Sequence, residues 1–437
     1  MKSIKMYRLS TISSRINGLP HVNIYSVAMY IFFLAILLQN TVSLSNVSLG
    51  LGISITAIYI VKDLLLVLLV CLILTTKTNY KFSNIDQVAL LLAVFLIVKI
   101  LIRGGGFYDI AMQMRFYLTP MILYFVGRNI VPFYQGRDIV RFVLIIGSVY
   151  AFLGLMFVLI DRDYLLQIGL GNLLSEKLGH FGREDAVVEG FPINFYFNHA
   201  DGGLTNRAFG ALFDPLASAF FGAVLFFHLL ESCRRTVSIV AKILAVAIGV
   251  LILLSITRAI IFGIILALLL FQFRKKEIRL VPATLIFFVL IILGAQKYGN
   301  IETFAGSLDP STISHLYAYT KLDINSLMLG DAYESGQARG AESIYLTILK
   351  EHGLGLLLLY LLWVFILYRW LRENYQFPFA YATSASLLVY ALASLTTEHW
   401  FVLSSGAIFW FLLGNNVTAI QITKRNIMRK TSLLYLK

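Results

Sequence analysis

Four arginines lie in or next to apolar segments, where a guanidinium group could bind a phosphate-rich ligand: Arg115, Arg207, Arg258 and Arg339. A cationic side chain near the middle of a bilayer costs about 2.5–3.5 kcal/mol on insertion scales, so each one needs a partner or a function. The planar guanidinium fits phosphate oxygens. A single arginine could simply reach the lipid headgroups. Several of them around one cavity would form a receptor for a polyanion such as a diphosphate.

Acidic and imidazole side chains accompany these arginines. Glu342 and Tyr345 are one helical turn apart in a segment of helical period, so they share a face near a helix N-terminus. A carboxylate there could orient or deprotonate a substrate hydroxyl, or it could only favour the helix dipole. Glu398 and His399 form a second acid and imidazole pair between two apolar runs, which is either part of the same site or a solvated turn. His315 is a further imidazole in a long polar segment.

Motifs for other chemistries are missing from the sequence. The histidines form neither an i, i+4 pair nor an HExxH pattern. The glycine run 104–106 lacks the strand-to-helix context of a phosphate loop. Cys71 and Cys233 provide neither a disulfide framework nor a metal cage. We therefore predict no metal, no cofactor and no activated-nucleotide donor.

The elements that carry these residues are predicted to be membrane-spanning helices. Of the 437 residues 59% are apolar and only 14% are charged, whereas a soluble domain has roughly 45–50% apolar and 25% charged residues. We predict an all-α polytopic membrane protein, a single integral domain over residues 1–437 with about 12 transmembrane helices. Pro215 is expected to kink the sixth of them. The predicted spans are 24–42, 52–75, 85–102, 108–127, 138–160, 206–229, 237–256, 257–273, 279–296, 352–369, 379–396 and 400–416.

The distribution of basic residues predicts the orientation of these spans. Most of the 36 Lys and Arg residues lie in the termini and in one alternate set of connections, which the positive-inside rule places in the cytoplasm. Both termini are then cytoplasmic. Two long connections, 161–205 and 297–351, become outer-face loops, the second with a helical segment. This placement explains the net charge of +13 without a nucleic-acid partner.

Three segments resemble the O-antigen polymerase and O-antigen ligase family. The first is similar to the segment that follows the large periplasmic loop of that family, and it reads Glu342-Ser343-x-Tyr345-Leu346-x-x-Leu349-x-Glu351-x-Gly353. The other two are Arg207-x-x-Gly210-x-x-Phe213-Asp214-Pro215 and Thr257-Arg258-Ala259. The resemblance extends over the whole topology, including the late outer loop.

The resemblance implies a bacterial membrane glycosyltransferase of GT-C-like fold, with its active site on the outer face of the plasma membrane. It would join undecaprenyl-diphosphate-linked repeat units of O-antigen, capsule or exopolysaccharide, and undecaprenyl diphosphate would leave. A flippase and a chain-length regulator are implied partners. For this reaction we predict that the catalytic residues are Glu342, Arg258 and Arg207. The residues predicted to bind the diphosphate or the glycan are Arg115, Arg339, Tyr345, His399, Glu398 and His315.

Two alternatives remain open. A ligase would transfer finished glycan to lipid A core. The corresponding motif of ligases has His-Asn at the two positions where this chain has Glu342-Ser343, and this difference favours the polymerase. A flippase of lipid-linked oligosaccharide would fit Lys62 and Asp63, which lie within a span. For these two residues we favour an intramembrane ion pair with a neighbour such as Arg115 or Lys99.

Overall fold

The structure is a computed structural model that describes residues 24–74, 82–129, 136–178, 187–188, 191–192, 195–198, 204–235, 238–272, 343–377, 379–397 and 401–435. Helices make up most of this part of the chain. They are α1 Ile24–Leu49, α2 Ile55–Leu74, α3 Asn84–Arg103, α4 Phe107–Asn129, α5 Gly136–Leu159, α6 Arg162–Gln167, α7 Leu170–Leu178, α8 Pro215–Arg235, α9 Ile239–Leu254, α10 Arg258–Gln272, α11 Ile344–His352, α12 Leu354–Glu373, α13 Ala380–Ala393 and α14 Leu403–Tyr435.

Seven of these helices are long and apolar enough to cross a membrane, namely α1, α2, α3, α5, α8, α12 and α14. Three shorter helices, α9, α10 and α13, are also apolar. The prediction of an all-α polytopic membrane protein is therefore confirmed. The predicted ninth span, 279–296, lies outside the described residues. The predicted division between the seventh and eighth spans is confirmed, because α9 ends at Leu254 and α10 begins at Arg258.

The predicted start of the sixth span is wrong. Helix α8 begins at Pro215, so Arg207 lies in the loop before it and Pro215 does not kink it. Asp214 precedes the helix, and its carboxylate accepts hydrogen bonds from the backbone N–H groups of Leu216 and Ala217 at 2.8 and 3.1 Å. A proline at the first helical position loses no hydrogen bond, since that N–H has no partner within the helix.

The first long connection contains more regular structure than predicted. It includes α6, α7 and two short antiparallel hairpins, in which strand β1 Val187–Val188 pairs with β2 Phe191–Pro192 and β3 Tyr196–Asn198 with β4 Leu204–Asn206. Of the second predicted connection, the structure describes only the C-terminal end, where α11 occupies Ile344–His352. Gly353, with a φ of +84°, separates α11 from α12.

Two sets of hydrogen bonds show how α8 and α13 are oriented in the bundle. The Tyr390 hydroxyl, near the end of α13, donates to the carbonyl of Phe220, near the start of α8, at 2.9 Å. The Glu231 carboxylate, near the end of α8, accepts from the backbone N–H groups of Phe379 and Ala382 at 2.8 and 3.0 Å. The two helices are antiparallel. We call the end of the bundle at which α9 and α13 end and α8 and α10 begin the loop end.

The interior of the bundle is closest packed between α4 and α14. A Cβ atom on Gly127 would lie 2.1 Å from the carbonyl oxygen of Phe411, and one on Gly414 would lie 2.0 Å from that of Tyr124. Glycine permits this approach, as in other membrane helix pairs. Arg128, the residue after Gly127, forms a fully buried ion pair with Asp86, with an N···O distance of 2.7 Å. The pair joins α3 to α4 away from the loop end.

A second, smaller hydrophobic cluster lies at the loop end, and we call it the loop core. It packs the two hairpins and α6 and α7 against the ends of α1, α2 and α5. Its buried members are Leu44, Ile55, Phe157, Leu165, Leu170, Leu173, Leu174, Phe191, Phe195, Tyr196, Phe209 and Phe213. The loop before α8 is anchored by two of these phenylalanines, so its position depends on this cluster.

Candidate functional site at the loop end

Arg207 is fixed at both its backbone and its side chain. Its backbone N–H donates to the carbonyl of Phe195 at 2.9 Å, which ties it to the residue before β3. Its Nε donates to the carbonyl of Ser255 at 2.7 Å, and its Nη2 donates to the hydroxyl of Thr257 at 3.0 Å. The guanidinium is therefore held against the turn between α9 and α10. Arg258, the first residue of α10, follows that turn directly.

The turn that receives Arg207 has a strained backbone. Ile256, between the two residues that accept its hydrogen bonds, has a φ of +48°. A positive φ is a genuine outlier for a β-branched residue, and such strain clusters at functional sites. The hydroxyl of Ser255 donates to the carbonyl of Ile252 at 2.7 Å, and its oxygen lies 3.0 Å from the hydroxyl oxygen of Thr257, which stabilises the strained turn.

The loop that carries Arg207 is held at a second point. Gly210 has a φ of +59°, and a Cβ atom there would lie 2.7 Å from the hydroxyl oxygen of Ser218. That hydroxyl donates to the carbonyl of Phe209 at 2.6 Å and accepts from the backbone N–H of Leu212 at 3.3 Å. The glycine of the Arg207-x-x-Gly210 motif is thus required by the backbone conformation and by the close approach of α8.

The electrostatics of this site favour an anion. Burial lowers the pKa of Arg207 to about 10; the carboxylate of Asp214 opposes this shift, and the charge of Arg258 adds to it. Arg258 is exposed at the N-terminus of α10, where the helix dipole also presents positive charge. Two guanidinium groups and a helix N-terminus therefore act on the same region. A ligand with two negatively charged phosphoryl groups would relieve their mutual repulsion.

Arg115 is occupied by an acidic partner. Its Nη2 lies 3.1 and 2.9 Å from the two carboxylate oxygens of Asp63 on α2. The expected ion pair between these two residues is therefore present. The side chains remain 44% and 31% exposed, in helices that carry many exposed apolar residues. The pair neutralises Arg115, so the structure lends its predicted role as a diphosphate ligand no support.

Tyr345 serves to pack α11 against α13. Its hydroxyl donates to the carbonyl of Ala391 at 2.7 Å. The backbone N–H of Ile344 donates to the carbonyl of Thr397 at 3.3 Å. The hydroxyl of Ser343 donates to the carbonyl of Ser394 at 3.0 Å. The first turn of α11 therefore rests on the end of α13. The remaining predicted site residues, Arg339, Glu342, His315, Glu398 and His399, lie outside the described residues.

The other end of α11 is held by a buried polar cluster that sequence reasoning missed. Glu351 accepts a hydrogen bond from the Tyr117 hydroxyl at 2.7 Å and forms an ion pair with Arg103 at 3.5 Å. The side chains of Arg103 and Glu351 are 9% and 7% exposed. Nε2 of His352 lies 4.0 Å from the same carboxylate oxygen. The signal was present, because Glu351 is one of the motif positions, but its partner Arg103 is 248 positions away.

These contacts place the start of α11 near the arginine site. Helix α10 packs on α13, since a Cβ atom on Gly263 would lie 3.2 Å from the Cα of Val389. Arg258 therefore begins a helix that is adjacent to the one supporting Ser343. Of the predicted site residues that the structure describes, it brings Arg207 and Arg258 together, with Tyr345 one helix away.

Comparison of the chain with family models, curated proteins and solved structures gave no match.

Proposed function

We propose that this protein is a membrane glycosyltransferase that polymerises undecaprenyl-diphosphate-linked oligosaccharide repeat units at its loop end. The observation that carries this proposal is the pairing of Arg207 with the Ser255–Thr257 turn directly before Arg258. It holds the guanidinium of Arg207 against the turn that leads into the N-terminus of α10, where Arg258 is the first helical residue. A lipid-linked diphosphate is the anion best suited to such a site, since its headgroup lies at the membrane surface.

In the proposed reaction a hydroxyl oxygen of the acceptor sugar attacks the anomeric carbon of the donor glycan. The bond between that carbon and the diphosphate oxygen breaks, and undecaprenyl diphosphate leaves with the electron pair. Arg207 and Arg258 stabilise the negative charge that grows on the leaving oxygen. Glu342, which directly precedes Ser343 in the sequence, orients the acceptor hydroxyl and receives its proton late in the transition state.

The orientation of the protein is part of the proposal. Basic residues of the described helices are numerous at the end opposite the loop end, where they include Arg234, Arg372, Lys424 and Arg425. The positive-inside rule then directs that end to the cytoplasm and the loop end to the outer face of a bacterial plasma membrane. A GT-C-like arrangement, with its site on loops above a helical bundle, is consistent with this placement. A flippase that delivers repeat units and a chain-length regulator are proposed partners.

The test is the surface glycan profile of a deletion strain that carries no copy, wild type, Arg258→Ala or Arg369→Ala. Arg369 is the matched control, because it is an exposed arginine that pairs with Glu373 one turn along α12. We expect wild type and Arg369→Ala to restore long glycan. The deletion strain and Arg258→Ala should show a single repeat unit on its acceptor.

Two other outcomes would contradict the polymerase. Full-length glycan that accumulates on undecaprenyl diphosphate would identify a ligase. Lipid-linked repeat units trapped on the cytoplasmic side would identify a flippase, and the role of the arginines would have to be assigned anew.

A further inference from the structure

We propose that Arg162 is a positioning residue for Arg207, which it holds in the orientation that binds a lipid diphosphate. This inference rests on the proposed function and extends it to a residue that does not touch the substrate.

Arg162 contacts the backbone of Arg207 directly. Its Nη2 donates to the carbonyl of Arg207 at 3.0 Å and approaches that of Phe195 at 3.4 Å. The carbonyl of Phe195 also accepts the backbone N–H of Arg207 at 2.9 Å. The guanidinium of Arg162 therefore links the segment that contains Phe195 to the segment that contains Arg207. It fixes the peptide group from which the Arg207 side chain extends.

The guanidinium of Arg162 is itself held by two aromatic rings. Its Cζ lies 4.9 Å from the ring centre of Phe191 and 5.1 Å from that of Tyr196. Both rings belong to the loop core. A planar cation that stacks on rings while donating along its edge is a property of arginine, and a lysine ammonium cannot reproduce it. The contact therefore depends on the shape of the side chain as well as on its charge.

The position of Arg162 in the fold links the backbone of Arg207 to the helical bundle. It is the first residue of α6, which Asp161 caps by accepting the backbone N–H of Asp163 at 3.2 Å. Helix α6 follows the end of α5, a long apolar helix of the bundle. Arg162 therefore connects the loop before α8 to a rigid element. Without Arg162, the carbonyl of Arg207 loses this donor, while the N–H groups of Arg207 and Ala208 keep their bonds to the carbonyls of Phe195 and Leu254, each at 2.9 Å.

The experiment compares the affinity of the full-length protein, in lipid nanodiscs, for undecaprenyl diphosphate and for undecaprenyl monophosphate. Wild type should prefer the diphosphate, because two aligned guanidinium groups act on two phosphoryl groups. Arg162→Lys keeps the charge and should lower this preference about tenfold, the loss expected for one misaligned charged hydrogen bond. In an Arg207→Lys background, Arg162→Lys should lower it no further, because both changes act on one interaction.

Arg103→Lys is the matched control for a purely structural effect. Arg103 is a buried arginine that pairs with Glu351, away from the loop core. Its substitution should reduce the yield of folded protein and leave the ratio of the two affinities unchanged. Should Arg162→Lys fold poorly, Tyr196→Leu removes one stacking ring and should lower the ratio in the same direction.

A wild-type ratio in both Arg162→Lys and Tyr196→Leu would overturn the inference while leaving the proposed function intact. A further loss of the diphosphate preference when Arg162→Lys is added to Arg207→Lys would also overturn the inference. A wild-type protein without any preference for the diphosphate would overturn the proposed function and this inference with it.

Discussion

Nη2 of Arg207 lies 3.0 Å from the hydroxyl oxygen of Thr257, a residue 50 positions further along the chain. This hydrogen bond joins the loop before α8 to the residue before α10. It brings Arg207 next to the helix that begins with Arg258, although the two arginines belong to different segments. Together with the bond from Nε of Arg207 to the carbonyl of Ser255 at 2.7 Å, it makes the anion site depend on the contact between this loop and the turn before α10.

Loss of either arginine should reduce polymerisation more than loss of the acidic residue. Arg207→Ala and Arg258→Ala should each lower the rate about 100–1000-fold, as the removal of one preorganised donor to a developing anion does. Glu342→Gln should cause a smaller loss, because a carboxylate is a weak base towards a sugar hydroxyl. The measurement is the rate of chain growth on a synthetic lipid-linked repeat unit in proteoliposomes, normalised to folded protein. Abolished growth in Glu342→Gln, together with retained growth in both arginine variants, would reverse this assignment.

Binding of the lipid diphosphate should be lost at high pH. Burial lowers the pKa of Arg207 to about 10, so the charged form that binds an anion prevails below this pH and is lost as the pH rises through it. The affinity should be constant between about pH 8 and 9 and should fall above pH 10. In Arg207→Lys the decline should begin at lower pH, because lysine has an ordinary pKa of about 10.4 and the same burial lowers it. An unchanged midpoint in Arg207→Lys would assign the titration to another group.

Gly210→Ala should damage the site more than the same change at Gly50. Both glycines have a positive φ, of +59° and +63°, so each alanine costs about 1–2 kcal/mol of backbone energy. At Gly210 the new Cβ meets the hydroxyl oxygen of Ser218 at 2.7 Å, whereas at Gly50 no atom of the described residues lies within 4 Å. Thermal unfolding in detergent should show the larger loss for Gly210→Ala, and chain growth should fall in that variant alone. Equal effects of the two substitutions would show that the close approach of Ser218 is unimportant.

The buried ion pair between Glu351, near the end of α11, and Arg103 should be sensitive to the loss of one partner. Glu351→Gln leaves the charge of Arg103 without its carboxylate and should cost about 3–5 kcal/mol. Glu351→Gln combined with Arg103→Gln removes both charges and should recover part of this loss. Glu373→Gln, which breaks the exposed pair with Arg369, should leave the free energy of unfolding unchanged within error. A smaller effect of Glu351→Gln than of Glu373→Gln, in chemical denaturation, would contradict the buried pair.

The helices were the most predictable part of the fold. Long apolar runs predict spans directly, and the boundary between α9 and α10 follows from the polar residues at Ser255 and Thr257. The start of α8 was less accessible, because the apolar run continues through the non-helical residues Phe209 and Phe213. The cap at Asp214 followed by a proline would have located it.

The candidate site was predictable in its residue types and only partly in its contacts. Arg207 and Arg258 were identified from their chemistry, and the fold brings them together. Arg162 and the pair Arg103–Glu351 were not identified, since each acts through tertiary contacts over long sequence separations. Periodicity reports which face of a helix is apolar, and it carries no information on which distant residue meets a given side chain.

The two arginines of the site rest on different hydrophobic clusters. The backbone N–H of Arg207 is bonded to Phe195 of the loop core, whereas α10, which begins with Arg258, contributes Ile260 to the main core of the bundle. Small clusters open more readily than large ones, so the hairpin region can unfold locally while the bundle stays intact. A ligand that bridges both guanidinium groups would then act as a crosslink between two cooperative units. Its binding would protect the backbone amides of β3 and β4 from hydrogen exchange far more than those of α10.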